Sequence, residues 1–401
     1  VSFICQKKKN LFFIKILIYG NNDNILNKNN NQIMGIKNLH QFLRKACPLI
    51  YSEIHLSRYA YKKIAIDTSI YMCKFKTSYG KQWLDAFLLL VTVLRENEIH
   101  PVFVYDTKFP VEKDQEKKNR TLARIKTKER VEKISTDWDA YKASFSSEVF
   151  ATGVLPHLPE NMSVELTDFL GKTERTSLVV IDVDREMDHL QNTLLSIRTE
   201  DFDLTRELLT LLGVAWLNAT GEAEATCAVL CRTGLVDAVL SEDTDVLNYC
   251  ATRFLHRLNI HGQTAMEIDY HELLVRLDFT ADQFLDFCIM CGTDYNTNLF
   301  KIGPEKSYRL LKKHGRIEQI HEQYPGIDMS AFPFPRVREI FVDDQSLTEE
   351  QTGAALYSAV PNTHRLSEFC FVNNCRFDLQ RLVHAFTTNP QIVFQDSTLA
   401  T

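Results

Sequence analysis

Short apolar runs that end in an acid recur along the chain. Lys63-Ile-Ala-Ile-Asp67 is one, and His100-Pro-Val-Phe-Val-Tyr-Asp106 repeats the pattern. Short apolar runs of this kind predict buried strands. Between them, Trp83–Glu96 is predicted helical, and a charged helix is predicted from about Val111 to Lys133. Leu212–Asn218 and Asp237–Leu240 are two more strand candidates, with a helix at Glu222–Arg232 between them. Strands alternating with helices predict an α/β fold, a mostly parallel central sheet flanked by helices. From Thr280 onward the pattern is helical, broken by Gly303-Pro304 and by Pro333 and Pro335. Residues 134–197 carry a strand candidate, Ser177–Val183, and a helix candidate, Arg185–Ser196, but suggest no chemistry.

Of the 401 residues, 45% are hydrophobic and 24% charged, which excludes a wholly disordered or fibrous chain. At roughly 150 residues per domain, the length predicts two or three domains, or one large domain with insertions. No apolar run approaches the ~20 residues of a membrane helix. The net charge of −6 excludes a uniformly basic nucleic-acid binder but leaves room for a local basic surface. The ten cysteines are scattered, as buried thiols are and disulfide scaffolds are not. Cys288-Ile-Met-Cys291 has no second pair at metal spacing and lies in an apolar helix, so it too is predicted as buried thiol. Residues 1–33 stand apart, with eight Asn, six Ile, five Lys and the single acid Asp23. A signal peptide is one reading, but Lys15 interrupts its apolar core and no small-residue cleavage site follows. The composition points instead to a disordered or non-native leader, with Met34 as the start.

The strand ends carry the candidate chemistry. Ligands of a parallel sheet bind just beyond its carboxyl edge. Asp67 and Asp106 close two strands, Glu222 and Glu224 follow the third, and Asp243 and Asp245 follow the fourth. Asp294 lies further on, in Cys291-Gly-Thr-Asp-Tyr295. One such Asp alone is an ordinary cap or turn residue. Seven acids at one edge would repel each other unless cations neutralise them. Oxygen-only ligands favour Mg²⁺, with Mn²⁺ as a substitute. Two such ions ~3.5–4 Å apart suit phosphodiester hydrolysis. Glu222 and Glu224 point different ways on a helix, so one or both could ligate.

Met34-Gly-Ile-Lys-Asn-Leu39, Ile64-Ala-Ile-Asp67-Thr-Ser69, Val102-Phe-Val-Tyr-Asp106, Gly221-Glu-Ala-Glu-Ala225, Ser241-Glu-Asp-Thr-Asp245 and Gly292-Thr-Asp-Tyr295 followed by Ile302-Gly-Pro304 occur in this order. Together they resemble the XPG-type structure-specific 5′-nucleases, flap endonucleases above all, from Met34 to about Phe386. The resemblance implies a PIN-like 5′-nuclease fold with a helical arch and a C-terminal helix–two-turn–helix. It implies metal-dependent cleavage of branched or 5′-ended DNA in replication or repair. Asp67, Asp106, Glu222, Glu224, Asp243, Asp245 and Asp294 match the metal-binding carboxylates, and Gly35 matches a glycine beside the site. The implied organisation is a leader (1–33), an N-terminal nuclease region with the basic arch helix (34–133), an insert (134–197), an internal nuclease region (198–386) and a tail (387–401). A 5′→3′ exonuclease of the same family and a catalytically silent branched-DNA binder are the alternatives.

Between Lys108 and Lys133 there are ten Lys/Arg against five Asp/Glu. A solvated helix face is the usual explanation of such a run. Lys113 and Arg120, seven apart, would share one helix face. By the resemblance they stabilise charge on the scissile phosphate, with Arg124 and Lys128 as further phosphate contacts. The family's base-stacking aromatic falls on Cys73, with Tyr71 or Phe75 as substitutes. In the second half, Pro304 suits a first helical turn, Gly303 would permit close approach, and Lys301 and Lys306 supply charge. The family often binds a monovalent cation here. Gln380-Arg-Leu-Val-His-Ala-Phe386 weakly resembles a sliding-clamp motif, yet reads better as a closing core helix. The expected partner is DNA with a 5′ flap, branch or end, bound by a monomer away from membranes. The expected location is the nucleus, or the host nucleus or cytoplasm for a viral protein.

Overall fold

The computed structural model describes residues 35–145, 149, 163–172, 180–299, 301–327, 329, 332–342, 346–356 and 359–387. The leader and residues 388–401 of the tail lie outside them. α1 (Leu39–Ala46) precedes β1 (Ser52–His55), and β2 (Lys63–Asp67) runs into α2 (Thr68–Tyr79), α3 (Trp83–Glu96) and β3 (His100–Tyr105). A 3₁₀ turn at Val111–Lys113 opens the long α4 (Asp114–Ala143), followed by α5 (Val164–Lys172) and α6 (Val180–Asn192). α7 (Thr199–Leu212) leads back to β4 (Ala215–Asn218), then α8 (Ala223–Arg232), β5 (Ala238–Leu240) and the short α9 (Asp245–Asn248). The hairpin β6 (Arg253–Asn259) and β7 (Thr264–Asp269) leads into α10 (Tyr270–Leu277), α11 (Ala281–Cys291), α12 (Pro304–His314) and α13 (Ile317–Gln323). α14 (Phe334–Val342), α15 (Glu349–Leu356), α16 (Thr363–Val372) and α17 (Leu379–Thr387) complete the described chain.

The seven strands form one sheet in the order β1-β7-β6-β5-β2-β3-β4. β6, β5, β2, β3 and β4 run parallel, while β7 lies antiparallel to both β6 and β1. Alternate residues serve two cores. Ala65, Val102, Val104 and Val239 face one with α1, α8 and α11. Ile64, Ile66, Phe103, Tyr105 and Leu240 face the other with α2, α3 and α7. Burial on both faces explains why these strands read as unbroken apolar runs. The register aligns their ends: Asp67 pairs with Val104, Ile66 with Leu240, and Tyr105 with Asn218. The residues that follow each strand therefore meet at one edge.

Four expectations need correction. The Ser177–Val183 strand is not formed over its described part: Val180–Val183 begin α6, and Val183 and Met187, one helical turn apart, bury against Trp138 and Leu166. The third strand starts at Ala215, because Leu212 ends α7 and Gly213 (φ 65°) caps it in the left-handed region. The basic helix continues to Ala143, carried by the apolar stripe Val131, Ile134, Trp138 and Tyr141. A boundary at 133/134 thus falls inside one helix, whose second half packs on α5 and α6 in a small core of its own. The chain rejoins the body built on the sheet where Lys76 of α2 pairs with the buried Asp201 of α7 and donates to the Ser196 carbonyl at 3.1 Å.

Candidate active site

Each acid at the sheet edge is held by the element that delivers it. Asp67 ends β2, and its Oδ2 accepts from Ser241 Oγ at 3.2 Å. Asp106 follows β3; its Oδ1 accepts from the Ala223 N–H at 2.7 Å and its Oδ2 from Ser69 Oγ at 2.5 Å. That ties the start of α8 to the end of β3. Glu222 is the N-cap residue of α8 and Glu224 lies in its first turn, where the helix dipole favours negative charge. Asp243 Oδ1 accepts from the Asp245 N–H at 2.8 Å. Asp294 follows Gly292, the C-cap of α11, and lies in the turn before α12.

Gly35 closes the site from the N-terminal side. Its φ is 75°, and a Cβ there would lie 2.2 Å from Asp243 Oδ1 and 2.7 Å from Thr244 Oγ1. The Ile36 N–H donates to Thr244 Oγ1 at 2.8 Å, fixing this approach.

Six of the acids are buried, and the seven interact electrostatically. Burial first, then neighbouring acids, push the carboxyls of Asp67, Glu224 and Asp245 well above the ordinary range, and that of Asp243 up to about 6. Lys113 supplies the countercharge. Its Nζ pairs with Glu222 Oε1 and lies 3.5 Å from Glu224 Oε1 and 3.4 Å from Asp294 Oδ2. Burial alone would lower its pKa, but Glu224, Glu222 and Asp294 outweigh that and raise it. Arg120 Nη2 donates to Asp294 Oδ2 at 2.7 Å, and its Nε to Glu116 Oε1 at 3.0 Å. The two cations meet at Asp294, though not by sharing a helix face. Lys113 ends the 3₁₀ turn before α4, and that turn folds it inward.

Among the described residues, no three His, Cys, Asp or Glu side chains form a ready metal-binding group. The Lys113 ammonium lies among three of the acids instead. The donor set nonetheless fits a hard divalent ion, being entirely carboxylate. Asp245 makes the stronger case: it is fully buried, and neither side-chain oxygen has a hydrogen-bond partner. A buried carboxylate without donors needs a cation or a proton.

Sequence reasoning missed the hydroxyls that hold the acids. Tyr295 Oη donates to Glu222 Oε2 and lies 3.1 Å from Tyr249 Oη. Ser69 and Ser241 do the same for Asp106 and Asp67. Their signal was adjacency, Tyr295 following Asp294 and Ser241 opening the Asp243 motif. Loop hydroxyls, however, are ordinarily caps.

Residues 34–127 match the XPG N-terminal domain, and residues 213–294 match the XPG I-region. The chain is 34% identical over 334 residues to the probable RAD2-like endonuclease of Invertebrate iridescent virus 3, covering 77% of this chain and 85% of that protein. It is 30% identical to flap endonuclease 1 of Ostreococcus lucimarinus, covering 87% and 83%. The chain belongs to the XPG family of flap-endonuclease-like, structure-specific nucleases. The same fold is seen in the catalytic core of Rad2 solved with a DNA substrate, at a TM-score of 0.57 and 17% identity, covering 88% of this chain and 100% of that one.

In this XPG nuclease the candidate DNA contacts are spread out. Arg124 Nη2 donates to the Leu194 carbonyl, and Lys128 lies 3.7 Å from Glu132. Lys301, Gly303 and Lys306 are exposed around the start of α12, where Pro304 sits in the first turn. A Cβ on Gly303 would meet nothing within 4 Å, so no close approach within the chain requires this glycine. Tyr71 and Phe75 are buried in the core, leaving neither free to stack on a base. Cys288 and Cys291 are buried thiols, and Leu382 and Phe386 of α17 are core residues.

Proposed function

We propose that this XPG nuclease is a Mg²⁺-dependent 5′-nuclease that hydrolyses phosphodiester bonds at 5′ flaps, branches or ends of DNA in replication or repair. The gathering of seven acids and two cations at one sheet edge carries the reading. Asp67, Asp106, Glu222, Glu224, Asp243, Asp245 and Asp294 would hold two divalent ions, Mg²⁺ or Mn²⁺. When bound, such ions neutralise phosphate charge and make water a nucleophile at neutral pH. The chain's own residues orient and bind. Ser69, Ser241 and Tyr295 fix the carboxylates, and Gly35 leaves room for the Asp243 loop. Lys113 and Arg120 stabilise charge on the scissile phosphate.

Duplex DNA would lie along Lys301, Gly303 and Lys306, with Arg124 and Lys128 on the arch as further phosphate contacts. A monovalent cation at the 292–303 turn belongs to the same reading. It is supported by the Leu299 and Ile302 carbonyls, which converge on Asn298 Nδ2 at 3.2 Å each. The nucleus, or the host nucleus or cytoplasm for a viral protein, would supply the DNA, and relatives of cellular and viral origin support that. The chain would act as a monomer.

The test is cleavage of a 5′-flap, a nicked duplex and a blunt duplex side by side in Mg²⁺, by wild type and Asp243→Ala. Flap cleavage that Asp243→Ala abolishes, with binding largely kept, is expected. Preferential cleavage of the nicked or blunt duplex would make the chain an exonuclease. Near-normal turnover by Asp243→Ala would remove the two-metal reading. A silent DNA binder is disfavoured, because it gains nothing from burying an unpartnered Asp245 near phosphate.

A further inference from the structure

We propose that Phe109 is a positioning residue that stacks on an unpaired nucleobase next to the scissile phosphate, with Lys117 beside it on the neighbouring phosphate. This inference rests on the nuclease reading above. Phe109 lies in the loop between Asp106 and the 3₁₀ turn that delivers Lys113. It is 45% exposed. Its ring carries two cations. Lys117 Nζ lies 4.1 Å from the ring centroid and Lys113 Nζ 5.7 Å. Lys113 in turn touches Glu222, Glu224 and Asp294, so the ring is one side chain away from the acids.

The loop is built to hold the ring in place. The Thr107 N–H donates to the Gly221 carbonyl at 3.0 Å, and Thr107 Oγ1 donates to the Ala219 carbonyl at 2.8 Å. The loop is thereby fastened to the turn that carries Glu222. Pro110 biases Phe109 itself toward extended backbone. Among the described residues, the other exposed aromatics lie elsewhere: Tyr61 precedes β2, at the opposite edge of the sheet, Tyr324 follows α13, and Phe371 lies in the last turn of α16. An exposed ring flanked by lysines is the combination that binds single-stranded nucleic acid, bases on the aromatic and phosphates on the cations. A fully paired base is already stacked and gains little from the ring. Phe109 therefore favours substrates whose base at the cleavage point is unpaired.

The experiment uses the full chain with a flap substrate carrying 2-aminopurine at the nucleotide flanking the cleavage point, in Ca²⁺ for binding and Mg²⁺ for cleavage. Phe109→Ala and Phe109→Leu should weaken flap binding by roughly 5–150-fold, the range expected of one base–aromatic stack. The 2-aminopurine quenching seen with wild type should disappear. Phe109→Trp should restore both. The slope of log affinity against log salt should stay the same in the Phe109 variants, because a ring releases no counterions. Lys117→Met should reduce it by roughly 0.7–0.9. Phe109→Leu keeps the bulk against Lys117 and serves if the alanine variant unfolds. A leucine variant that matches wild type, a tryptophan variant as weak as alanine, or a salt slope that falls in the Phe109 variants overturns the proposal. Wild type that fails to cleave the flap would sink the flap-cleavage reading instead, a separate outcome.

Discussion

Replacing Lys113 by Met keeps the bulk of the side chain and removes its charge. Lys113 is only 7% exposed, and its ammonium serves Glu222, Glu224 and Asp294 together. Removing one partner from a buried ion cluster typically costs about 3–5 kcal/mol, because the remaining charges stay buried. The metal-free variant at pH 8 should therefore be less stable than wild type by about that amount, measured by urea unfolding in EDTA. Acid should shrink the loss. Carboxyls whose folded pKa lies above the unfolded value favour folding below the unfolded value, and that contribution is lost as pH rises through the folded one. Asp243, with a folded pKa of about 6, and its raised neighbours can take up protons where the ammonium is gone. The gap should be smaller at pH 5 than at pH 8. Divalent ion should also narrow it, because the ammonium competes for the acids in wild type alone: at saturation, each tenfold by which the variant binds the ion more tightly closes the gap by about 1.4 kcal/mol. A variant as stable as wild type in EDTA at pH 8 would refute the assignment of Lys113 as the site's resident countercharge.

Other outcomes follow from the same geometry. Gly35→Ala should cost at least about 1–2 kcal/mol for the left-handed backbone alone, and should slow cleavage by pushing Asp243 aside; an unchanged melting temperature and rate would contradict the 2.2 Å approach. Arg120→Ala should lower the single-turnover rate by roughly 10²–10³-fold, while Lys126→Ala and Lys133→Ala do far less; equal effects would make the helix a nonspecific charged surface. Asp245→Asn should stabilise the metal-free protein at pH 8 while abolishing cleavage, and a destabilised variant in EDTA would mean that its carboxylate has a partner. The stabilisation by Mg²⁺ in wild type should grow from pH 5 to pH 7, as the raised carboxyls lose their protons, and a flat dependence would count against them as ligands.

The parts legible in the sequence are those whose physics is local. β2 and β3 read as strands because both faces are buried, so every residue between the polar ends is apolar. Trp83–Glu96 is helical over its predicted span, and nearly all of it is buried. The antiparallel edge was not legible. β1 buries only Ile54 among its four residues, and β6 carries Arg253, His256 and Arg257 along its length. Such strands exist because a neighbour pairs with them, and pairing leaves little trace in the local pattern. Ser177–Val183 failed for a related reason. A short apolar run has no period of its own, and only the later Met187 shows that Val183 belongs to a helical stripe.

The same distinction separates the acids from the cations at the site. An acid at a strand end is legible because the parallel register brings all such ends to one edge, whatever the chain does in between. Lys113 lies beyond a strand end, in a turn whose path depends on Pro110 and on the anchoring of Thr107 to the Ala219–Gly221 turn. Its spacing to Arg120 predicts a shared helix face, whereas the two converge on Asp294 from a turn and a helix. What unites the two cations is Asp294, which is 174 residues from Arg120 in sequence and 2.7 Å away in space. The arch is thus coupled to the sheet edge through charge, and its far end is held separately by Trp138, Leu166 and Val183 in a core that shares no residue with the nuclease body. The near end is held by ion pairs to Glu222, Glu224 and Asp294, the middle by the Arg124 bond to the Leu194 carbonyl, and the far end by apolar packing.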